Sequence, residues 1–204
     1  MKNTEILLHH IYWDCKHGVR EVVDAGEHLV QWDGQQDRDV IAFHMLSSRS
    51  SEPWYQPRPT EEECAAERRT CTRAAFAAWA RTEVPRSDLP DVLASILASK
   101  RASKISPAQS QALLAIAASQ AGGEAVVGVP PGAWASVHKL ASQQFLIVPS
   151  GTRLTRLTVA GKHLLSQWPE GRKALATNFP EFMERVERVQ TLATPPTPRR
   201  GPRP

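Results

Sequence analysis

The stretch from Ser106 to Gln167 constrains the fold more than any other part of the chain. It opens on Ser106-Pro107-Ala108-Gln109, a capping box with proline at the first helical position, where its missing N–H costs nothing. Leu113, Leu114, Ile116 and Ala117 give that helix an apolar face, and Gly122-Gly123 end it. "EAVVGV" then predicts a short strand. Pro130-Pro131-Gly132 starts a second helix from about Ala133 to Gln143, with Ala133, Val137, Leu140 and Ala141 on its buried side. Trp134, Ser136, His138, Lys139 and Ser142 fall on or near the exposed side. "FLIVPSGTRLTRLT" reads as a hairpin about Ser150-Gly151 that carries Arg153 and Arg156, and Thr158 caps a further helix through Leu165.

Helices flank this stretch. "DLPDVLASILASKRAS" pairs Val92 with Ile96 and Leu93 with Leu97, and places Lys100, Arg101 and Lys104 at the negative end of its dipole. "NFPEFMERVERVQTLA" sets Phe182, Met183, Val186, Val189 and Ala193 on one side, suited to packing on the domain or pairing with a second copy. The tail "TPPTPRRGPRP" has the composition of a disordered segment.

The first half is less regular. The apolar density of "TEILLHHIYW" fits a strand or a helix, and the spacing of Ile6, His10, Trp13, His17 and Val23 favours a helix to about Val23. Leu29 to Trp32 and Asp39 to Leu46 read as the arms of a hairpin turning at Asp33-Gly34, with both faces of the second arm buried. Ser47 to Pro59 forms no regular element, with Trp54 and Tyr55 pinning it to a surface. Thr60 and Glu63 form a second capping box, opening a helix to about Thr82 with Cys64, Cys71, Ala75, Ala78 and Trp79 on one face. "VPRSDLP" interrupts the chain there. The expected organisation is an α+β domain over 1–84, a second domain with its flanking helices over 88–193, and a tail over 194–204.

Charge separates the two halves. Residues 1–100 carry 12 Lys and Arg against 16 Asp and Glu, while residues 101–204 carry 13 against 5. A basic domain joined to an acidic one is a footprint of nucleic-acid binding, because Lys and Arg gain free energy by releasing counterions from phosphate. A solvated basic face is the alternative.

Several chemistries lack their signatures. There is no P-loop, no Gly-rich dinucleotide fingerprint, no HExxH and no Gly-x-Ser-x-Gly. His10, Cys15 and His17 could be drawn as metal ligands, but their spacing matches no zinc pattern. Cys15 and His17, two apart, diverge on a helix, the element expected there, and are not read as a dyad. Trp13, Trp32 and Trp54 read as core before they read as a base-stacking platform. Three cysteines without a CxxC pair read as reduced, mostly buried thiols. No apolar run reaches membrane-spanning length and no signal segment is seen, so the expectation is a cytoplasmic non-enzyme without metal or cofactor.

Taken in order, "ISPAQSQALLAIA", "SVHKLASQQFLIV" and "RLTVAGKHLL" resemble the winged-helix superfamily, in particular bacterial regulators whose domains end in Leu-Thr-x-x-Gly-x-x-Leu-Leu. Here that run is Leu157 to Leu165, and the resemblance covers about 62 residues. It implies an α+β protein with a C-terminal winged helix, preceded by a small α+β domain with a β-hairpin and a helix. The helix around Val137 would enter a major groove and the hairpin would touch phosphate or the minor groove. Ser136, His138 and Lys139 would contact base or phosphate, with Trp134 and Ser142 beside them and Arg153 and Arg156 on the wing. Two departures stand out. "GVPPG" is too short for the first helix of a helix-turn-helix, and Gln144 stands where relatives usually have glycine. "WDGQQDRDVIAFHML" resembles segments of small phage and prophage accessory proteins.

The functional expectation is a DNA-binding regulator acting on duplex DNA, with a second copy of itself as a candidate partner; the alternative is a phage- or plasmid-derived module that docks on a host protein.

Overall fold

The computed structural model describes residues 1–47, 68–120 and 125–194 of the chain, which is a mixed α+β protein. They form two compact units, one of residues up to Leu89 together with those from Gln190, the other spanning Pro90–Val189. None of the helices among the described residues is long and apolar enough to cross a membrane.

The first unit is built on an antiparallel sheet of order β4-β3-β2-β1-β5. Its strands are β1 (Ile11–Trp13), β2 (Val19–Ala25), β3 (Val40–Ser47), β4 (Arg69–Thr72) and β5 (Thr82–Glu83). The helix expected through Val23 is instead the β1–β2 hairpin, in which Ile11 faces Glu21 and Trp13 faces Val19. Its turn explains the difference: Asp14 Oδ1 accepts from the amides of Lys16, His17 and Gly18 at 2.8–2.9 Å. Cys15 adopts φ 58°, which no helix continues through. Ile11, Tyr12 and Trp13 are all buried, as consecutive residues can be on a strand covered on both faces.

The partner expected for β3 is also different. Leu29 to Trp32 is not a strand; Glu27–Leu29 is a 3-10 turn after Gly26 at φ 146°, and β3 pairs with β2 and β4. Trp32 is 62% exposed rather than core, its ring lying over Gly34, where a Cβ would collide with it. Val40 to Phe43 are buried on both faces as expected.

The capping box at Thr60, the Ser47 to Pro59 segment beyond Ser47, Cys64 and Trp54 lie outside the described residues. The helix meant to reach Thr82 is short, α1 (Arg73–Trp79), because Arg69 to Thr72 pair with β3 instead. Thr72 Oγ1 caps it, accepting from the Ala75 amide at 3.2 Å. Ala75 and Ala78 are exposed, and Phe76, Ala77 and Ala80 are the buried face. Phe76 centres the core, with Tyr12, Phe43 and Trp79 at 5.6, 5.4 and 5.1 Å between ring centroids. Cys15 and Cys71 are free and half-buried.

In the second unit the expected helices form as α2 (Leu89–Arg101), α3 (Pro107–Ser119), α4 (Trp134–Ser142), α5 (Val159–Leu165) and a last helix, α7 (Pro180–Ala193). A further helix, α6 (Pro169–Asn178), was not legible, its polar composition masking a buried Gly171 and Leu175. Strands β6 (Val127–Gly128), β7 (Leu146–Ile147) and β8 (Leu154–Leu157) make an antiparallel sheet of order β6-β8-β7. The capping box of α3 is reciprocal, with Gln109 N–H donating to Ser106 Oγ and Ser106 N–H to Gln109 Oε1 at 3.3 and 2.9 Å. Gln120, buried after α3, donates to the Ala125 carbonyl and accepts from the Leu157 amide, tying helix to sheet.

Two devices fix α5. Gly161 lies so close to the Phe145 carbonyl that a Cβ would overlap it, and Thr158 Oγ1 accepts from the Gly161 amide at 3.0 Å. The second is a buried ionic cluster. Asp91 and His163 are each 3% exposed; His163 Nε2 donates to Asp91 Oδ1 at 3.1 Å and Arg185 Nε to Oδ2 at 2.9 Å. This joins α2, α5 and α7. Burial pushes the Asp91 carboxyl up, but the bonds from His163 and Arg185 outweigh it and hold the group below its ordinary value.

Candidate functional site

The outer side of α4 and the adjoining hairpin hold the residues singled out from the sequence. Gly132 at φ 71° closes a turn in which the Ala133 amide donates to the Pro130 carbonyl at 3.1 Å. That turn launches α4 with Val137 and Leu140 fully buried, which rolls Trp134, His138 and Lys139 outward. Ser136 is half-buried. Ser142 is exposed, but its hydroxyl donates to the Lys139 carbonyl at 2.8 Å and so turns back on its own helix.

Trp134, His138 and Arg153 come together. The rings of Trp134 and His138, one turn apart, meet edge to face at 4.4 Å, and Arg153 Cζ lies 5.9 Å from the Trp134 ring centroid. The Val129 amide donates to the Arg153 carbonyl at 2.9 Å, anchoring the base of the hairpin. Arg156 is placed differently. It is half-buried on β8, where it opposes Ile147 in register, whereas Arg153 is exposed in the turn just before that strand.

The end of α4 shows how the chain manages without glycine. Gln144 takes φ 67°, its amide donates to the Ala141 carbonyl, and the Phe145 amide donates to the Leu140 carbonyl, both at 2.9 Å. This is a Schellman ending, with Phe145 and Leu140 both buried. Thr158 Oγ1 donates to the Gln144 carbonyl at 2.7 Å and steadies it.

Sequence reasoning missed the outward face of the small sheet. Leu154 opposes Gly128 and Ile147 opposes Arg156; Leu154 and Ile147 are exposed, whereas Leu146, Thr155 and Leu157 are buried. The signal was present in the alternation of residues 154 to 157, but two-residue strands gave it too little length to be read. The Asp91–His163–Arg185 cluster was equally hidden, since its members lie far apart in the chain.

Among the described residues no group of three or more His, Cys, Asp or Glu side chains could hold a metal ion. His10 Nδ1 instead lies 2.8 Å from Glu83 Oε1. Comparison with family models, with curated proteins and with solved structures finds no match to this chain.

Proposed function

We propose that residues 106–167 are a winged helix and that the protein binds duplex DNA, as a transcriptional regulator or the accessory regulator of a mobile element. What carries this reading is the meeting of α4 and the hairpin at one cationic and aromatic surface, Trp134–His138–Arg153, with Lys139 beside it. The order α3, β6, α4, β7, β8 and the strand arrangement β6-β8-β7 support it. So does the excess of Lys and Arg over Asp and Glu in residues 101–204, 13 against 5. In this arrangement α4 lies in the major groove and Arg153 reaches a phosphate.

The test is a mobility-shift titration of the full chain against genomic fragments at two salt concentrations. Lys139→Ala and Arg153→Ala should each weaken binding and reduce the salt slope by about 1, as expected for one lost phosphate contact. A chain that binds DNA with neither variant changing it would remove these residues from the interface.

A second reading rests on the exposed Ile147 and Leu154 and on the short Val129–Ala133 link, which leaves no room for the first helix of a helix-turn-helix. On that reading the domain docks on a host protein through the outer sheet face. Salt-insensitive capture of one stable partner, lost on Leu154→Glu, would favour it.

A further inference from the structure

Trp134 stands at the first turn of α4 with 39% of its surface exposed. An indole offers one donor and no acceptor, so it draws little from the donor and acceptor pattern that base edges present in a major groove. Its large flat ring is matched to the face of a base. In a perfect duplex those faces are covered by neighbouring base pairs, whereas an unpaired base leaves them open.

The surroundings of the ring fit that use. His138 meets it edge to face at 4.4 Å, which fixes the orientation of the indole before any ligand arrives and lowers the cost of ordering it. Arg153 Cζ lies over the indole, 5.9 Å from the ring centroid, and brings a permanent cation within reach of a nucleotide that stacks on it. A protein surface could also take an exposed tryptophan, but the cation of Arg153 over its ring favours an anionic partner.

We infer that Trp134, His138 and Arg153 form a stacking platform for an unpaired base, so that the protein prefers DNA containing locally unpaired nucleotides to a perfect duplex. This rests on the nucleic-acid reading above and narrows it to one class of DNA.

The experiment compares the full chain on a fluorescein-labelled duplex and on the same duplex with a central mismatched bubble, by fluorescence anisotropy at one moderate salt concentration. The bubble should bind roughly tenfold more tightly, within the range for one base stacked on one aromatic side chain. Trp134→Ala should abolish that preference, lowering affinity for the bubble by about tenfold more than it lowers affinity for the duplex. Trp134→Phe, which keeps a ring, should retain most of the preference, and circular dichroism establishes that both variants are folded. Equal affinity of the unsubstituted chain for the two DNAs overturns the inference and leaves the duplex-binding reading in place. Binding to neither DNA overturns both. A bubble preference that survives Trp134→Ala, or an equal loss on both DNAs, removes Trp134 as the platform and overturns the inference alone.

Discussion

Gln144 holds φ 67° at the end of α4. A Cβ in the left-handed region costs about 1 kcal/mol, and glycine escapes that cost while gaining freedom in the unfolded chain. Gln144→Gly should therefore stabilise the protein by about 0.5 kcal/mol, read as a rise in urea midpoint at unchanged slope. A fall would mean that the Gln144 side chain contributes contacts of its own. Gly161 is the reverse case, since a methyl there would enter the Phe145 carbonyl, which already accepts from the Thr158 amide at 3.1 Å. Gly161→Ala should destabilise by about 3 kcal/mol in the same denaturation assay. A near-neutral result would show that β7 can yield. Both positions were legible in the chain, one as a glycine just after the Thr158 cap and the other as the residue after the second helix, which had to take the left-handed region or end the helix differently. Local steric requirements write themselves into single residues.

Elements were legible where local chemistry decides them and not where distant partners do. Ser106, Thr158 and the apolar spacing of Val92, Leu93, Ile96 and Leu97 announce helices that need only a cap and one buried face. The first half depends on pairing between strands far apart in sequence, as when Val40 aligns with Thr72, and short apolar runs carry no register. Ile6, His10, Trp13 and His17 happened to fall at helical spacing, but the Asp14 turn overrides it. Pairing of side chains across helices is just as invisible, and the Asp91 cluster shows its consequence. Because Asp91 titrates lower in the fold than in the unfolded chain, its contribution is complete above the ordinary carboxylate range and is lost as pH falls through the folded value. Asp91→Asn should cost about 2 kcal/mol at neutral pH, because it removes the carboxylate that accepts from both His163 and the partly exposed Arg185. The gap between the two proteins, from urea midpoints, should narrow as pH drops below about 4. A gap that stays constant down to about pH 3 would show that the carboxylate charge of Asp91 is not what holds α2, α5 and α7 together.

At the scale of the molecule the strongest feature is the opposition of charge, a net of −4 in residues 1–100 and +8 in residues 101–204. On the proposed DNA-binding reading, the acidic half repels the phosphate that the basic half attracts. Between exposed charges that repulsion reaches about 10 Å at 0.1 M salt and about three times as far at tenfold lower salt. Residues 88–204 expressed alone should therefore bind non-specific DNA more tightly than the full chain at low salt, with a steeper dependence on salt concentration. The difference should shrink as salt rises, since screening weakens the repulsion over distance more than the proposed close contacts of Lys139 and Arg153. Anisotropy titrations of both chains on one random-sequence duplex measure it. If the full chain binds more tightly at every salt concentration, the first half contributes contacts to DNA and its acidic balance is not a brake. Equal affinities at low salt would mean that the acidic residues lie beyond the reach of the bound phosphates, and the charge asymmetry would then serve a partner other than nucleic acid.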